Sequence, residues 1–239
     1  MRVLVVDVGN SSIKAGVFVD FYLPVVKRFS RVQQLLAFAE EHKTSAVAVC
    51  SVVQDTTKRL KELWPGAFFL DSKNSGIRNL YLTPETIGSD RLANALYIKY
   101  FIGTNSIVAD IGTAITVDAI GPDGAFYGGA IFPGPEMQFA GLHSRTASLP
   151  DVQPVPVPGP LARDTESCIR AGVWWSIGIS IAGLASQQAG FLGWQGYRLV
   201  LTGGWSGLLR EVILGRTRCS LERHASLLGL GAWASDLLK

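Results

Sequence analysis

Two short polar turns follow apolar runs and carry the residue types that bind phosphate. The first is DVGNSS at residues 7–12, and the second is DIGTA at residues 110–114. A glycine lets the backbone approach a phosphate closely, backbone N–H groups and hydroxyls donate to its oxygens, and a carboxylate can hold hydrated Mg²⁺. Lys14 is close enough in sequence to add positive charge. Each turn taken singly is equally compatible with a polar hairpin turn and a capping aspartate.

The two turns are copies of one unit, which makes a nucleotide site the better interpretation. Aligning Asp7 with Asp110 places Gly9 on Gly112 and the apolar run before one turn on the run before the other. A third glycine-rich strand end, TGG at 202–204, offers another close backbone approach. The sequence has no G-x-x-x-x-G-K-[ST] motif, and no G-x-G-x-x-G follows its first strand, which excludes a Walker-type phosphate loop and argues against a dinucleotide fold.

Hydrophobic periodicity predicts the elements that position these turns. Strands are predicted at residues 3–6, 13–19, 46–51, 67–70, 106–109 and 198–201, and helices at residues 32–41, 57–64, 91–101, 136–144 and 165–188. Strands that feed helices in two related halves predict an α/β fold with two duplicated domains, mixed central sheets and an interdomain cleft. The predicted domains are residues 1–104 and 105–239.

Composition excludes several classes of protein. With 48% hydrophobic and 17% charged residues, the chain has enough apolar surface for a large core. A net charge of +3, without a run of like charges, gives no nucleic-acid arm. The three cysteines are far apart and form no C-x-x-C pair, so neither a disulfide framework nor a zinc site is indicated. We expect a cytoplasmic protein, since the first residues also lack a signal-peptide pattern.

An uncharged stretch at residues 171–197 has two interpretations. Its length and composition are compatible with a membrane span, and membrane attachment is one hypothesis for this protein. Its glycines, glutamines and serines, and the missing basic flank, favour a buried core helix instead. We therefore expect neither a membrane nor a nucleic acid as partner.

The motifs in this order and spacing resemble the type III pantothenate kinases, within the actin-like ATPase and sugar-kinase superfamily. The matching motifs span essentially the whole chain: DVGNSS at 7–12, Tyr81-x-x-Pro84 leading to Gly88-Ser89-Asp90-Arg91 and Asn94, DIGTAITVD at 110–118, GGAIFPG at 128–134, TASLP at 146–150, Thr165-Glu166 and TGG at 202–204. Departures are small, with Ser11 where the family usually has Thr, Ser89 where Ala is common and Leu201 where Ala is usual. The resemblance implies duplicated ribonuclease H-like domains and ATP-dependent phosphorylation of pantothenate, the first step of coenzyme A biosynthesis.

The resemblance also implies a role for individual residues. Asp90 matches the catalytic aspartate that accepts the proton of the attacking hydroxyl, a role that suits a carboxylate. The predicted pantothenate contacts are Tyr81, Gly88, Ser89, Asp90, Arg91 and Thr165. The predicted ATP contacts are Asp7, Val8, Gly9, Asn10, Ser11, Ser12, Ile13, Lys14 and Thr113. From the residues alone, the alternatives are a helix-capping role for Asp90 and for Thr165, which for Thr165 is compatible with a substrate contact, and a core position for Tyr81.

Cations and a second copy of the chain complete the implied partners. Asp110 matches the ligand of a monovalent cation, K⁺ or NH₄⁺, and Asp7 is expected to hold the Mg²⁺ that accompanies ATP, directly or through water. Arg91 suits the carboxylate of pantothenate because its guanidinium can bind it through two parallel hydrogen bonds. Members of the family are homodimers, so we expect a homodimer.

Two other functions remain as alternatives. The first is a catalytically weak accessory or regulatory protein that binds nucleotide on the same fold. Loss of Asp90 or Arg91 would favour it, and the sequence retains both. The second is an actin-like or chaperone-like ATPase, but such proteins are usually longer and carry large insertions that a chain of 239 residues has little room for.

Overall fold

The structure is a computed structural model that describes residues 1–157, 159–214 and 217–239. It divides into two compact units. The first comprises Met1–Thr104, Ile120–Tyr127 and His224–Lys239, and the second comprises Asn105–Ala119 and Gly128–Arg223. The predicted division at 104/105 places the last residues with the C-terminal domain, whereas here they lie with the first unit.

The first sheet has the strand order β3-β2-β1-β4-β5. Its strands are β1 (Arg2–Val8), β2 (Ile13–Val19), β3 (Tyr22–Phe29), β4 (Ala46–Ser51) and β5 (Phe68–Phe69). β1 pairs antiparallel with β2 and parallel with β4, and its apolar run from Val3 to Val6 is completely buried, as a central strand requires. The helices of this unit are α1 (Val32–His42), α2 (Gln54–Leu63), a 3₁₀ turn (Pro84–Thr86), α3 (Ser89–Tyr97) and α7 (Ala225–Leu237).

The second sheet repeats the strand order of the first, β8-β7-β6-β9-β10. Its strands are β6 (Ser106–Ile111), β7 (Ala114–Ile120), β8 (Phe126–Pro133), β9 (Arg198–Thr202) and β10 (Cys219–Leu221). In both sheets the first strand has the second and third strands on one side and the fourth and fifth on the other. The prediction of a duplicated α/β fold is therefore confirmed. The helices α4 (Pro135–Arg145), α5 (Thr165–Phe191) and α6 (Ser206–Leu214) accompany this sheet.

The final helix, α7, belongs to the first unit because small residues let it pack closely there. A Cβ atom on Gly229 would overlap the backbone of Ala93 in α3, and one on Gly231 would overlap the ring of Phe18 in β2. Neighbouring side chains of α7 such as Leu230 and Trp233 are buried. The close contact of α7 with α3 and β1 brings the end of the chain to the strand that carries the first polar turn.

Helix α3 begins two residues earlier than the predicted helix at 91–101. It spans Ser89–Tyr97 and continues into one π-helical turn, Ile98–Ile102, which ends at Gly103 with a φ of 65°. The earlier start matters because it places Asp90 in the first turn of the helix.

Helix α5 contains most of the uncharged stretch at residues 171–197, for which the sequence allows two interpretations. Among the described residues it is the one helix long and apolar enough to cross a membrane, and 44% of its most apolar window is buried inside the protein. Trp174 lies on the buried face, where its Nε1–H donates to the Val155 carbonyl at 3.0 Å and its ring contacts Phe139 and Trp205. This face of α5 is thus part of the core of the second unit.

Candidate active site

The first polar turn links β1 to β2. The Gly9 N–H donates to the Ser12 carbonyl at 3.1 Å and closes the turn. Asn10 and Ser11 are exposed, so their polar groups are accessible to a ligand. Val8 and Ile13 have buried side chains that belong to the apolar core, which leaves their backbone atoms as the groups that can contact ATP.

Asp7 is a buried carboxylate whose charge is compensated by donors from two other elements. β1 and β2 pair so that Asp7 lies opposite Lys14, and Lys14 Nζ is 3.1 Å from Asp7 Oδ2. The Ser226 hydroxyl, from α7, donates to the same oxygen at 2.7 Å. Because Asp7 is only 5% exposed, its ionised form requires partners of this kind.

Cys50 contacts Asp7 from the neighbouring strand. β4 runs parallel to β1 with Cys50 in register with Asp7. Burial raises the pKa of the Cys50 thiol well above its usual value, and the negative charges of Asp7 and Asp90 raise it further. The thiol therefore stays protonated at neutral pH. The electrostatic effect of Asp90 on this thiol also indicates that both aspartates lie near the end of β4.

Asp90 lies in the first turn of α3, where its carboxylate Oδ1 accepts the Arg91 backbone N–H at 2.8 Å. The helix-cap interpretation of Asp90 is wrong, because Gly88 is the N-cap residue and Asp90 is the second residue of the helix. Gly88, the N-cap residue, has an ordinary φ of −62°. A Cβ at Gly88 would nevertheless overlap Asp90 Oδ1, so a glycine here lets the carboxylate lie against the backbone.

Ser89 ties the start of α3 to the end of β4. Its hydroxyl donates to the Ser51 carbonyl at 3.0 Å and accepts the Ser51 N–H at 2.7 Å. The side chain is thereby occupied and 8% exposed, so a substrate contact at Ser89 would use its backbone. Since β4 pairs with β1, these bonds hold the segment with Asp90 at the same edge of the sheet as the turn that follows Asp7.

Arg91 is buried against aromatic rings. Its guanidinium carbon lies 5.5 Å from the ring centroid of Tyr81 and 5.1 Å from that of Phe126, and the two rings meet edge to face at 5.9 Å. Stacking on aromatic faces orients the guanidinium plane and leaves its N–H edge for hydrogen bonds. Tyr81 thus belongs to the aromatic cluster that packs against Arg91.

The second polar turn gathers three glycine segments of the second unit. The Gly112 N–H donates to the Ala114 carbonyl at 3.2 Å, and the Gly134 N–H donates to the Thr113 carbonyl at 2.9 Å. Gly203, in the TGG segment, has a φ of 91°, and a Cβ on it would overlap Asp110 Oδ1. The TGG strand end therefore lies directly against the turn that carries Asp110.

Thr165 is the first residue of α5. Asp164, not Thr165, caps this helix, because its carboxylate accepts the Ser167 N–H at 2.9 Å. The N-cap interpretation of Thr165 is wrong. The hydrogen bonds from the helix N-terminus also lower the pKa of Asp164. Thr165 instead lines an open cavity of about 1150 Å³ between α4 and α5, whose walls are mostly apolar.

Among the described residues, no group of three or more His, Cys, Asp or Glu side chains could hold a metal ion by itself. A cation at Asp7 or Asp110 would therefore complete its coordination with phosphate, water or backbone oxygens, which is the usual arrangement for Mg²⁺ in phosphoryl-transfer enzymes. The donor set fits such a cation, since each aspartate lies in the last two residues of a strand, beside a turn with backbone groups.

Comparison with known proteins identifies the family. The sequence model described as "Type III pantothenate kinase" matches residues 3–187. The chain belongs to the type III pantothenate kinase family. A type III pantothenate kinase of Chlorobaculum tepidum is 33% identical over 227 residues, which cover 86% of this chain and 84% of that protein. The resemblance inferred from the motifs is thus confirmed.

Solved structures show the same fold at low identity. A conserved putative Baf family transcriptional activator from Campylobacter jejuni has a TM-score of 0.63 and 20% identity, and 98% of each chain is covered. The ROK hexokinase of Thermus thermophilus has a TM-score of 0.51 and 17% identity, with 100% of each chain covered. Both likenesses concern the fold, which is that of the actin-like ATPases and sugar kinases.

Four residues in contact with the predicted site were not singled out from the sequence. They are Cys50, Ser51, Phe126 and Ser226. Cys50 and Ser51 could have been found, because the predicted strand at 46–51 ends there and parallel strands present their carboxyl ends at one edge. No local signal marks Phe126 or Ser226. Ser226 also lies beyond residues 3–187, to which the pantothenate kinase family matches.

Proposed function

We propose that this chain transfers the γ-phosphoryl group of ATP to the hydroxyl of pantothenate, which gives 4′-phosphopantothenate for coenzyme A synthesis. The observation that carries the proposal is the family match over residues 3–187. In addition, the sequence retains Asp7, Asp90, Arg91 and Asp110, which this reaction uses. A kinase of this kind works by positioning its substrates and stabilising charge.

Asp90 is the general base in this mechanism. Its carboxylate accepts the proton of the pantothenate hydroxyl as that oxygen forms its bond to the γ-phosphorus, while the bond to the β–γ bridging oxygen breaks and ADP leaves. The Arg91 N–H at 2.8 Å and the close approach to Gly88 fix the orientation of the carboxylate. The contacts that hold Asp90 at the start of α3 thereby also orient the base toward the hydroxyl.

Arg91 binds the carboxylate of pantothenate. Its guanidinium is 5.1 Å from the Phe126 ring centroid and 5.5 Å from that of Tyr81, so it is oriented before the substrate arrives. A planar fork of donors suits a carboxylate better than the single ammonium group of a lysine. Tyr81, the backbone of Gly88 and Ser89, and Thr165 supply the other contacts to pantothenate.

ATP is bound by residues 7–14 and Thr113. Backbone N–H groups of the first turn and the hydroxyls of Ser11 and Ser12 donate to phosphate oxygens, and Lys14 adds positive charge. Asp7 would hold the Mg²⁺ that accompanies ATP, and Asp110 would hold K⁺ or NH₄⁺. Bound there, these cations would supply positive charge beside the phosphates. We expect turnover to be higher in K⁺ than in Na⁺ and expect Asp110→Asn to lose this preference. That result would support Asp110 as the ligand of the monovalent cation.

The chain acts in the cytoplasm as a homodimer. Helix α5 has a buried face and an outer face on which Ile179 is 47% exposed and Phe191 is 92% exposed. A second copy of the chain would cover such apolar groups, as is common in homodimer interfaces. Light scattering coupled to size exclusion tests the dimer, and recovery in the soluble fraction without detergent tests the absence of membrane attachment.

The role of Asp90 is tested by Asp90→Asn, which keeps the size of the side chain and removes its basicity. We expect the turnover number kcat to fall ~10²-fold or more, while calorimetry shows unchanged affinity for pantothenate. Asp20→Asn is the matched control, because Asp20 is exposed, has a φ of 49° that asparagine also tolerates, and lies outside the site. Near-normal turnover of Asp90→Asn would remove Asp90 from this role.

A further inference from the structure

Asp7 is held by residues outside the sequence motif that contains it. Lys14 Nζ lies 3.1 Å from Oδ2 and the Ser226 hydroxyl donates to Oδ2 at 2.7 Å. Both contacts therefore fall on one carboxylate oxygen, and Oδ1 takes part in neither. Two donors on Oδ2 restrict the rotation of the carboxylate and turn Oδ1 in a defined direction.

Ser226 is well placed to set that direction because it is buried among packed elements. It is 2% exposed and lies in the first turn of α7, whose start packs beside β1. The N-terminus of a helix is also a favourable neighbour for a negatively charged side chain, so the first turn of α7 suits the Asp7 carboxylate. The side chain of the N-cap residue His224 makes no capping bond, so Ser226 is not part of a capping motif.

A hydroxyl that donates to a buried carboxylate does more than satisfy a polar group. Hydrogen bonds to charged groups are shorter and stronger than neutral ones, and loss of one partner leaves the charge under-compensated. Without the Ser226 hydroxyl, Lys14 would remain as the ion-pair partner of Oδ2, at 19% side-chain exposure. The carboxylate would then rotate toward Lys14, and the direction of Oδ1 would change.

We propose that Ser226 is a positioning residue for ATP binding, whose hydroxyl holds the Asp7 carboxylate in the orientation that receives Mg·ATP. The inference rests on the proposed role of Asp7 in binding ATP and its Mg²⁺. It adds a residue from the end of the chain, outside residues 3–187 that the family match covers. Ser226 touches neither substrate in this account and acts through Asp7.

The test compares Ser226→Ala with a matched variant, Ser75→Ala. Ser75 is a serine of the same unit that is 1% exposed, and its hydroxyl has no hydrogen-bond partner among the described residues. We expect Ser226→Ala to weaken binding of the Mg complex of a non-hydrolysable ATP analogue ~10-fold in calorimetry, from the loss of one charge-assisted hydrogen bond. The KM for ATP should rise similarly, the KM for pantothenate should stay within ~2-fold, and Ser75→Ala should bind the analogue normally.

A double-mutant cycle separates this inference from the proposed function. In an Asp7→Asn background, Ser226→Ala should change the affinity for the analogue less than ~3-fold, because the charge that the hydroxyl orients is gone. If Asp7→Asn alone binds the analogue normally, the proposed role of Asp7 fails, and the role of Ser226 fails with it. If Asp7→Asn weakens binding but Ser226→Ala does not, or if Ser226→Ala raises both KM values equally, only the role of Ser226 is overturned.

Discussion

Adding one methyl group beside the proposed general base should lower turnover without unfolding the protein. In Gly88→Ala the new Cβ would overlap Asp90 Oδ1, while the next nearest atoms, Asp90 Cγ and Val52 Cγ1, are 3.5 Å away. The φ of Gly88 is −62°, which alanine adopts without strain. The overlap therefore has to be relieved by movement of the Asp90 carboxylate.

The size of that movement sets the expected effect. To reach ordinary contact with a carbon atom, the oxygen must move by about 1 Å, and misplacement by ~1 Å can lower turnover ~10²-fold. The free energy of unfolding should change by less than ~1 kcal/mol. The displaced atom is the end of a side chain, and replacing glycine by alanine reduces the conformational entropy of the unfolded chain, which favours the folded state. The Arg91 N–H bond to Asp90, 2.8 Å long, would also be weakened.

Steady-state kinetics with pantothenate and chemical denaturation measure the two effects separately. Gly66→Ala is the matched control, since a Cβ there would meet no atom within 4 Å. We expect kcat to fall in Gly88→Ala alone, with free energies of unfolding close to wild type in both variants. Wild-type kcat in Gly88→Ala would refute the argument that the position of the Asp90 carboxylate governs turnover.

Three further substitutions probe the elements around the site. Ser89→Ala removes two hydrogen bonds to Ser51 and should lower the free energy of unfolding by about 1–2 kcal/mol in urea denaturation, with kcat within ~3-fold. Gly203→Ala should cost more than ~2 kcal/mol by the same method, because its φ of 91° and its contact with Asp110 both exclude a Cβ. The pKa of Asp164 is lowered in the folded state, so its carboxylate stabilises the protein above the unfolded pKa of about 4, and this stability is lost as pH falls through the folded value. Asp164→Asn keeps an acceptor for the N-cap hydrogen bond and removes the charge. When the pH is lowered below ~4, the Tm of this variant should therefore fall less than the Tm of the wild type. Equal losses of Tm in the two proteins would contradict a stabilising role for the Asp164 charge.

Local sequence was sufficient to predict the parts of the site that lie within one strand and its turn. The β-branched run Val3 to Val6 favours a buried strand, and the small polar residues after it favour a turn, so the region around Asp7 could be predicted directly. The alignment of Asp7 with Asp110 then implied the second sheet, whose strand order repeats that of the first. Hydrophobic periodicity and turn-forming residues are local signals that extend over a few residues. They were therefore enough to predict the strand and the turn around each aspartate.

Contacts between distant parts of the chain could not be read from the sequence. Ser226 reaches Asp7 because α7 packs on α3 and β1, which depends on the fit of Gly229 against the Ala93 backbone. Phe126 reaches Arg91 because the end of the β7–β8 hairpin belongs to the first unit. Neither residue type is unusual at its position, so no local pattern distinguishes it from an ordinary core residue.

The central claim is phosphoryl transfer to pantothenate, and direct detection of the product tests it best. Purified protein is incubated with Mg·ATP, pantothenate and K⁺, and the products are identified by mass. The account predicts 4′-phosphopantothenate and ADP in equal amounts, with far less product from Asp90→Asn. ATP bound by the protein without any phosphorylated pantothenate would contradict the account and favour a nucleotide-binding accessory protein of the same fold.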